Sequence, residues 1–181
     1  MIGGYGHGAL GGHRHHKHRA ATAIACQDTT LVPTSDDLDR IAGSTVCIVN
    51  AVRVAAGRTP LSVNAALVTA AAGHSADMVA GDYVGQVGPS GGSLLGRLET
   101  AGYLSAGSGG FSIAENVSAS VGGGTPAATV SQWMGSPEAR ANILDPAMRE
   151  TGIGIVDTAP GVVGTGPGVT YTEDFGATSP S

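Results

Sequence analysis

The sequence predicts an α+β fold in which an antiparallel sheet is flanked by helices. Helical periodicity dominates the first hundred residues, a strand and further short helices follow, and the chain closes on two apolar strand-like runs that form a hairpin. The strands are not separated by regular crossover helices, which disfavours a parallel sheet. With 181 residues the chain has room for one core of ordinary size.

The first helix is capped by Thr34 or Ser35, and Asp36 and Asp37 sit in its first turn, where the helix dipole favours acidic groups. Leu38, Ile41, Ile48, Val49 and Val52 keep helical spacing until Gly57, which predicts a helix over 36–56. Pro60 to Val63 is an extended link. Asn64 then caps a second helix through Leu67, Ala70, Ala71, His74 and Met78, ending near Gly81, and its alanines suit close packing. The run from Gly85 to Ser93 is a loop by composition. Leu94, Leu95, Leu98 and Tyr103 mark a short third helix closed by Gly102, and Phe111 to Ser120 reads as a strand. Thr125-Pro126 and Ser136-Pro137 each place a cap before proline at the first helical position, opening helices through Trp133 and Leu144. Thr151–Asp157 and Val169–Phe175 form the hairpin around the turn-rich residues 160–168, and Ala177 to Ser181 should fray.

Composition narrows the function. Hydrophobic residues are 41%, charged residues 13% and aromatics 4%, so the core relies on small and aliphatic side chains packed tightly. The net charge is -5 and the only dense basic stretch lies at the N-terminus, so nothing resembles an electrostatic footprint for nucleic acid. No stretch approaches the roughly 20 apolar residues of a membrane span. Residues 1–22 are glycine- and histidine-rich and are expected to be a disordered tail ahead of a domain over 23–177. His13, His15, His16 and His18 could capture Zn, Cu or Ni from that tail, or be incidental to a polar leader. No export signal is legible, because Ala20 to Ala25 is shorter than the roughly 7–15 apolar residues that such a signal needs. Cys26 and Cys47 are either one disulfide, worth about 3 kcal/mol, or two buried thiols.

A chain of motifs in order runs from Cys47 onward. Asn50-Ala51-Val52-Arg53, Gly57, Pro60-Leu61 and Asn64 come first, then His74-Ser75-Ala76-Asp77-Met78, then Arg97, Gly102 and Tyr103. Glu115-Asn116, Trp133 to Pro137, Arg140 to Leu144 and Gly152-Ile153-Gly154 complete it. Together they resemble the bacterial branch of the CAP superfamily (cysteine-rich secretory, antigen-five and pathogenesis-related proteins), whose SCP-like extracellular domain is an α-β-α sandwich. The resemblance implies a monomeric domain, secreted or associated with the cell envelope.

The family's cleft commonly holds a divalent metal on histidines and glutamates, and here that pattern fails at most positions. Gln86 stands at one histidine, Ser136 at the second glutamate, Thr170 at the second histidine of plant and animal members, and Ala139 at the bacterial one. Glu115 survives, followed by Asn116. The implied cleft is therefore Gln86, Glu115, Asn116, Ser136, Thr170 and Glu173. One carboxylate and an amide supply too few good donors for zinc, so no metal site and no cofactor are expected in the domain. His74 reads as a surface or core histidine bonded to backbone, and Ser75 cannot pair with it because helix neighbours point about 100° apart. Glu115 reads as a carboxylate bonding backbone amides to brace the cleft loops. The leading functional expectation is non-catalytic binding of a small apolar ligand or lipid, a cell-wall component or a protein. The alternatives are a divergent hydrolase using Glu115, with Glu173 or Glu138 as a second acid, and metal capture by the tail.

Overall fold

The computed structural model describes residues 24–105, 109–161 and 167–179. The predicted tail over 1–22, with its histidines, lies outside them. Helix α1 spans Leu38–Ala55, strand β1 Ser62–Val63, α2 Ala65–Ala80 and α3 Leu94–Thr100. They are followed by β2 Phe111–Val121, α4 Pro126–Gly135, α5 Pro137–Leu144, β3 Glu150–Val156 and β4 Gly168–Thr178. The sheet runs β1-β3-β4-β2. It is antiparallel at β3·β4 and β2·β4, and parallel where β1 pairs β3 through Ser62↔Glu150 and Val63↔Thr151.

The helices form largely as the local signals dictate. Asn64 Oδ1 accepts from the Ala66 and Leu67 N–H groups at 2.9 and 3.4 Å, while Thr125 and Ser136 cap helices that begin with proline. Two boundaries differ from expectation. Helix α1 begins after Asp37, whose carboxylate accepts the Thr34 N–H at 2.8 Å and so closes a turn ahead of the helix. Strand β4 continues to Thr178, because Ala177 and Thr178 pair with Ser112 and Phe111. The link over 60–63 contributes β1, since the Ser62 and Asn64 N–H groups donate to Arg149 O and Thr151 O.

Strand alternation divides the core into two layers. On one face Val169, Tyr171 and Phe175 of β4 and Ile153 of β3 meet Ile41 and Val49 of α1, Val130 and Trp133 of α4 and Ile143 of α5. Trp133 and Tyr171 meet edge to face, with centroids 6.4 Å apart. On the other face α2 lies across β3 and β4, with Leu67, Ala70, Leu98 and Leu104 forming a smaller cluster that extends to α3. This is the α-β-α sandwich that the resemblance implies.

The approach of α2 to the sheet depends on two glycines. A Cβ on Gly152 would overlap the backbone at Leu67 and Val68, and one on Gly154 the backbone at Ala71 and Ala72. A second fixed point is Arg53, which is fully buried. It donates to Thr59 O at 2.9 Å, Ile143 O at 2.5 Å, Asp145 O at 3.1 Å and Met148 O at 3.2 Å, tying α1 to the segment between α5 and β3. Cys26 and Cys47 form a disulfide that fastens the entry segment to α1, resolving the two readings of the cysteines.

These features set two stability predictions. Gly154→Ala should lose about 3 kcal/mol or fail to fold, because backbone atoms cannot yield as flexible side chains do. Gly43→Ala, in the interior of α1 with nothing within 4 Å of the added carbon, should gain roughly 0.5–1 kcal/mol. Urea denaturation of the two variants beside the parent measures both. Replacing both cysteines by serine should cost about 3 kcal/mol in the same assay, the loop-closure value for a separation of 21 residues.

Candidate functional site

The register of β2 on β4 places Glu115 opposite Asp174, so the two carboxyls share the α2 face of the sheet. Gly152 is Asp174's partner on the other side, and its missing side chain leaves room beneath α2. Helix α2 brings His74 over this pair, and α3 brings Arg97. Arg97 Nη2 lies 2.6 Å from Glu115 Oε2, with that carboxylate side chain only 1% exposed. The same guanidinium donates to Gln86 O at 3.1 Å and Gly92 O at 3.2 Å, which fastens the loop between α2 and α3 over the site. A buried carboxylate stripped of its cation costs about 3–5 kcal/mol, so Arg97 is the condition for keeping Glu115 inside.

Asp174 has no donor of its own among the described residues, and Glu115 Oε1 has none either. Burial raises the Asp174 pKa, and the charge and hydrogen-bonding capacity of the facing Glu115 carboxylate raise it further. His74 is fully buried, and its Nε2–H donates to Gly85 O at 2.9 Å. Burial lowers its pKa against the opposing pull of Glu115, so it is neutral at pH 7. Its 3.6 Å approach to Glu115 is therefore not an ion pair. Ser75 turns elsewhere, its Oγ lying 3.0 Å from Gly154 O and 2.9 Å from Thr172 Oγ1. His74 and Ser75 have separate partners and do not form a dyad.

Outside this sealed cluster lies a cavity of about 160 Å³ lined by Gln86, Glu115, Asn116, Val117, Ser136, Glu138 and Ala139. Four of the six residues expected in the cleft therefore come together, along with Ala139 and the acid candidate Glu138. Gln86 Nε2 and Asn142 Nδ2 both donate to Glu115 O, at 3.1 and 3.2 Å. Asn116 accepts from Asn142 at 2.9 Å and donates to Ala139 O at 3.2 Å, locking β2 to α5. Trp133 Nε1 donates to Val117 O at 3.1 Å.

Thr170 and Glu173 are placed elsewhere. Thr170 pairs with Ala119, four strand positions from the Asp174 pairing with Glu115, and donates to Thr158 O at 2.8 Å. Glu173 points to the opposite face of the sheet, where Thr151 Oγ1 lies 3.2 Å from Oε1, and burial pushes its pKa up to about 8. It cannot act with Glu115 across the sheet. Glu115 braces the cleft loops through Arg97 rather than through backbone amides. Asp174 was not singled out from sequence and Arg97 only as a motif residue. The strand period could have found Asp174, because Glu173 and Asp174 are adjacent and only one of them can share a face with Glu115.

A divalent cation does not fit these residues. Around the cavity, Gln86 and Asn116 are neutral amides, Ser136 is a hydroxyl and Ala139 has no donor, Glu115 is already committed to Arg97, and the exposed Glu138 alone supplies too few donors. Among the described residues, no three His, Cys, Asp or Glu side chains are grouped so as to hold a metal.

The three-layer sandwich defines a class of fold, and known proteins share that fold. An extracellular protein of Bacillus anthracis containing an SCP domain superposes with a TM-score of 0.62 at 23% identity, covering 81% of this chain and 44% of that one. An outer surface protein of Borrelia burgdorferi gives 0.63 at 11% identity, covering 82% and 97%. The chain belongs to the cysteine-rich secretory protein (CAP) family, whose sequence signature matches residues 47–174. The uncharacterized protein YkwD of Bacillus subtilis is 31% identical over 140 residues, which is 76% of this chain and half the length of that relative.

The buried acids make stability pH-dependent. Asp174 and Glu173 have folded pKa values raised above their unfolded values near 4, so the folded state holds more protons in between. The stability that they contribute is complete below about pH 4 and is lost as pH rises toward 8 and beyond. His74 acts in the opposite sense only below its unfolded value of 6.5. Thermal melts between pH 6.5 and 9 should therefore show a falling Tm, and Asp174→Asn should flatten the fall and melt above the parent at pH 8. A variant with the parent's slope would refute the raised Asp174 pKa.

Proposed function

We propose that this chain is a secreted or envelope-associated CAP domain that binds a cell-wall component in the cleft between Gln86 and Ser136 without catalysing a reaction on it. The observation that carries this reading is the state of Glu115. A general base must reach the proton that it removes, and this carboxylate is sealed under Arg97, His74 and Asp174. What the cavity presents instead is a ring of amides, a hydroxyl and the exposed Glu138, suited to hydrogen-bonding a polar polymer. Secretion is supported by the extracellular and surface descriptions of the B. anthracis and B. burgdorferi structural relatives, and by a disulfide that persists in oxidising compartments. Among the described residues, no helix is long and apolar enough to cross a membrane.

An apolar ligand has one observation in its favour. A groove of about 430 Å³ between α2 and α3 is floored by Ala70, Gly73, Gly96 and Ala101. Co-sedimentation separates the two readings. The full chain should pellet with purified bacterial wall sacculi, stay in solution with neutral phosphatidylcholine vesicles, and release no soluble wall fragments. Fragment release above a protein-free control would establish hydrolysis instead, and retention by vesicles alone would move the ligand to the α2–α3 groove.

A further inference from the structure

The cavity beside Glu115 keeps free polar groups after the protein's own hydrogen bonds are assigned. Gln86 commits its amide nitrogen to Glu115 O, which leaves Oε1 to accept from outside. Ser136 Oγ caps α5 by accepting the Ala139 N–H at 3.5 Å and can accept again. Glu138, in the first turn of α5, has neither a hydrogen bond nor an ion pair among the described residues and is exposed at the cavity. Val117 and Ala139 are the apolar residues of the lining.

We propose that this cavity is a subsite for a primary ammonium group carried on a short aliphatic arm. The proposal rests on the binding reading above and names the chemistry that the cleft selects. An ammonium has three donors and no acceptor, which matches a carboxylate, an amide oxygen and a hydroxyl oxygen converging on one space. The electrostatics have the same sign. No cation is among the residues lining the cavity, the nearby Arg97 is neutralised by Glu115, and the charge of Glu138 outweighs the roughly half-unit positive end of α5. An anionic ligand would meet Glu138 unpaired. A sugar ring lacks a platform, because Trp133 is buried in the core with its N–H committed to Val117 O. The 160 Å³ space holds on the order of five water-sized atoms, the scale of a butylammonium arm. The free amine of a diamino acid in a wall peptide has this chemistry.

The test titrates n-butylammonium, butyramide and butyrate separately into the isotope-labelled full chain, following the amide resonances of residues 85–87 and 136–139. Butylammonium should give saturable millimolar shifts at both segments, with butyramide and butyrate about tenfold weaker or silent, because a charge-assisted hydrogen bond carries most of the selectivity. Glu138→Gln, an exposed change that leaves the fold intact, should lower butylammonium affinity by about tenfold, as removal of one charged partner implies. Equal response to the neutral amide, or an unchanged affinity in Glu138→Gln, would overturn the subsite. The same samples are assayed on sacculi. Retention there without an ammonium response defeats this inference and leaves the binding reading standing, whereas loss of both defeats both.

Discussion

The close approach of α2 to strand β3 is the constraint on which the rest of the molecule depends. Gly152 and Gly154 let helix backbone meet strand backbone, and no larger residue can stand at either place. That approach sets the height of His74 and Ser75 above the sheet. Ser75 bonds the Gly154 carbonyl and Thr172, and His74 reaches Gly85 at the start of the cleft loop. Helix α3 and Arg97 then follow from the loop, and Arg97 makes it possible to keep Glu115 buried. The functional surface is built outward from a pair of missing side chains.

Charge is handled differently on the two faces of β4. Glu173 and Asp174 are both buried, and neither has a full ion pair among the described residues. On the α2 side, Asp174 is neutralised by keeping its proton, which lets Glu115 alone answer Arg97. On the α1 side, Glu173 bonds Thr151, feels the positive charge of Arg53 and is still pushed toward its neutral form by burial. Arg53 itself remains buried because four carbonyls solvate it in place of water. The buried acids of β4 on both faces find their partners within the sheet, whereas Arg53 is solvated by backbone carbonyls outside it.

Much of this was legible in the sequence, for local reasons. Caps followed by proline, the Asn64 cap and the stop at Gly57 act within a few residues, and they place helices within a residue or two of where they occur. The motifs from Cys47 onward carried the family and the sandwich. Gln86, Glu115, Asn116 and Ser136, brought together by motif order, line one cavity. Likeness to plant and animal members adds Thr170 and Glu173, but strand alternation turns Glu173 to the other face and four strand positions separate Thr170 from Asp174. The Arg97–Glu115–Asp174 arrangement was not legible, since it joins three elements through pair register and burial. Strand β1 escaped notice because two residues carry no periodic signal.

The hydrogen bonds that fix the cleft have a consequence at the sheet's outer margin. Strand β2 is a border strand eleven residues long, with β4 as its single neighbour among the described residues, and such a border invites another chain to pair with it. Its outward carbonyls at Glu115 and Val117 are taken by Gln86, Asn142 and Trp133, so the side chains that shape the cleft also stand where a fifth strand would dock. At the opposite border β1 offers only two residues. The protein therefore guards itself against edge-to-edge aggregation with the same groups that form its cleft, and a change that opens the cleft also uncovers adhesive backbone.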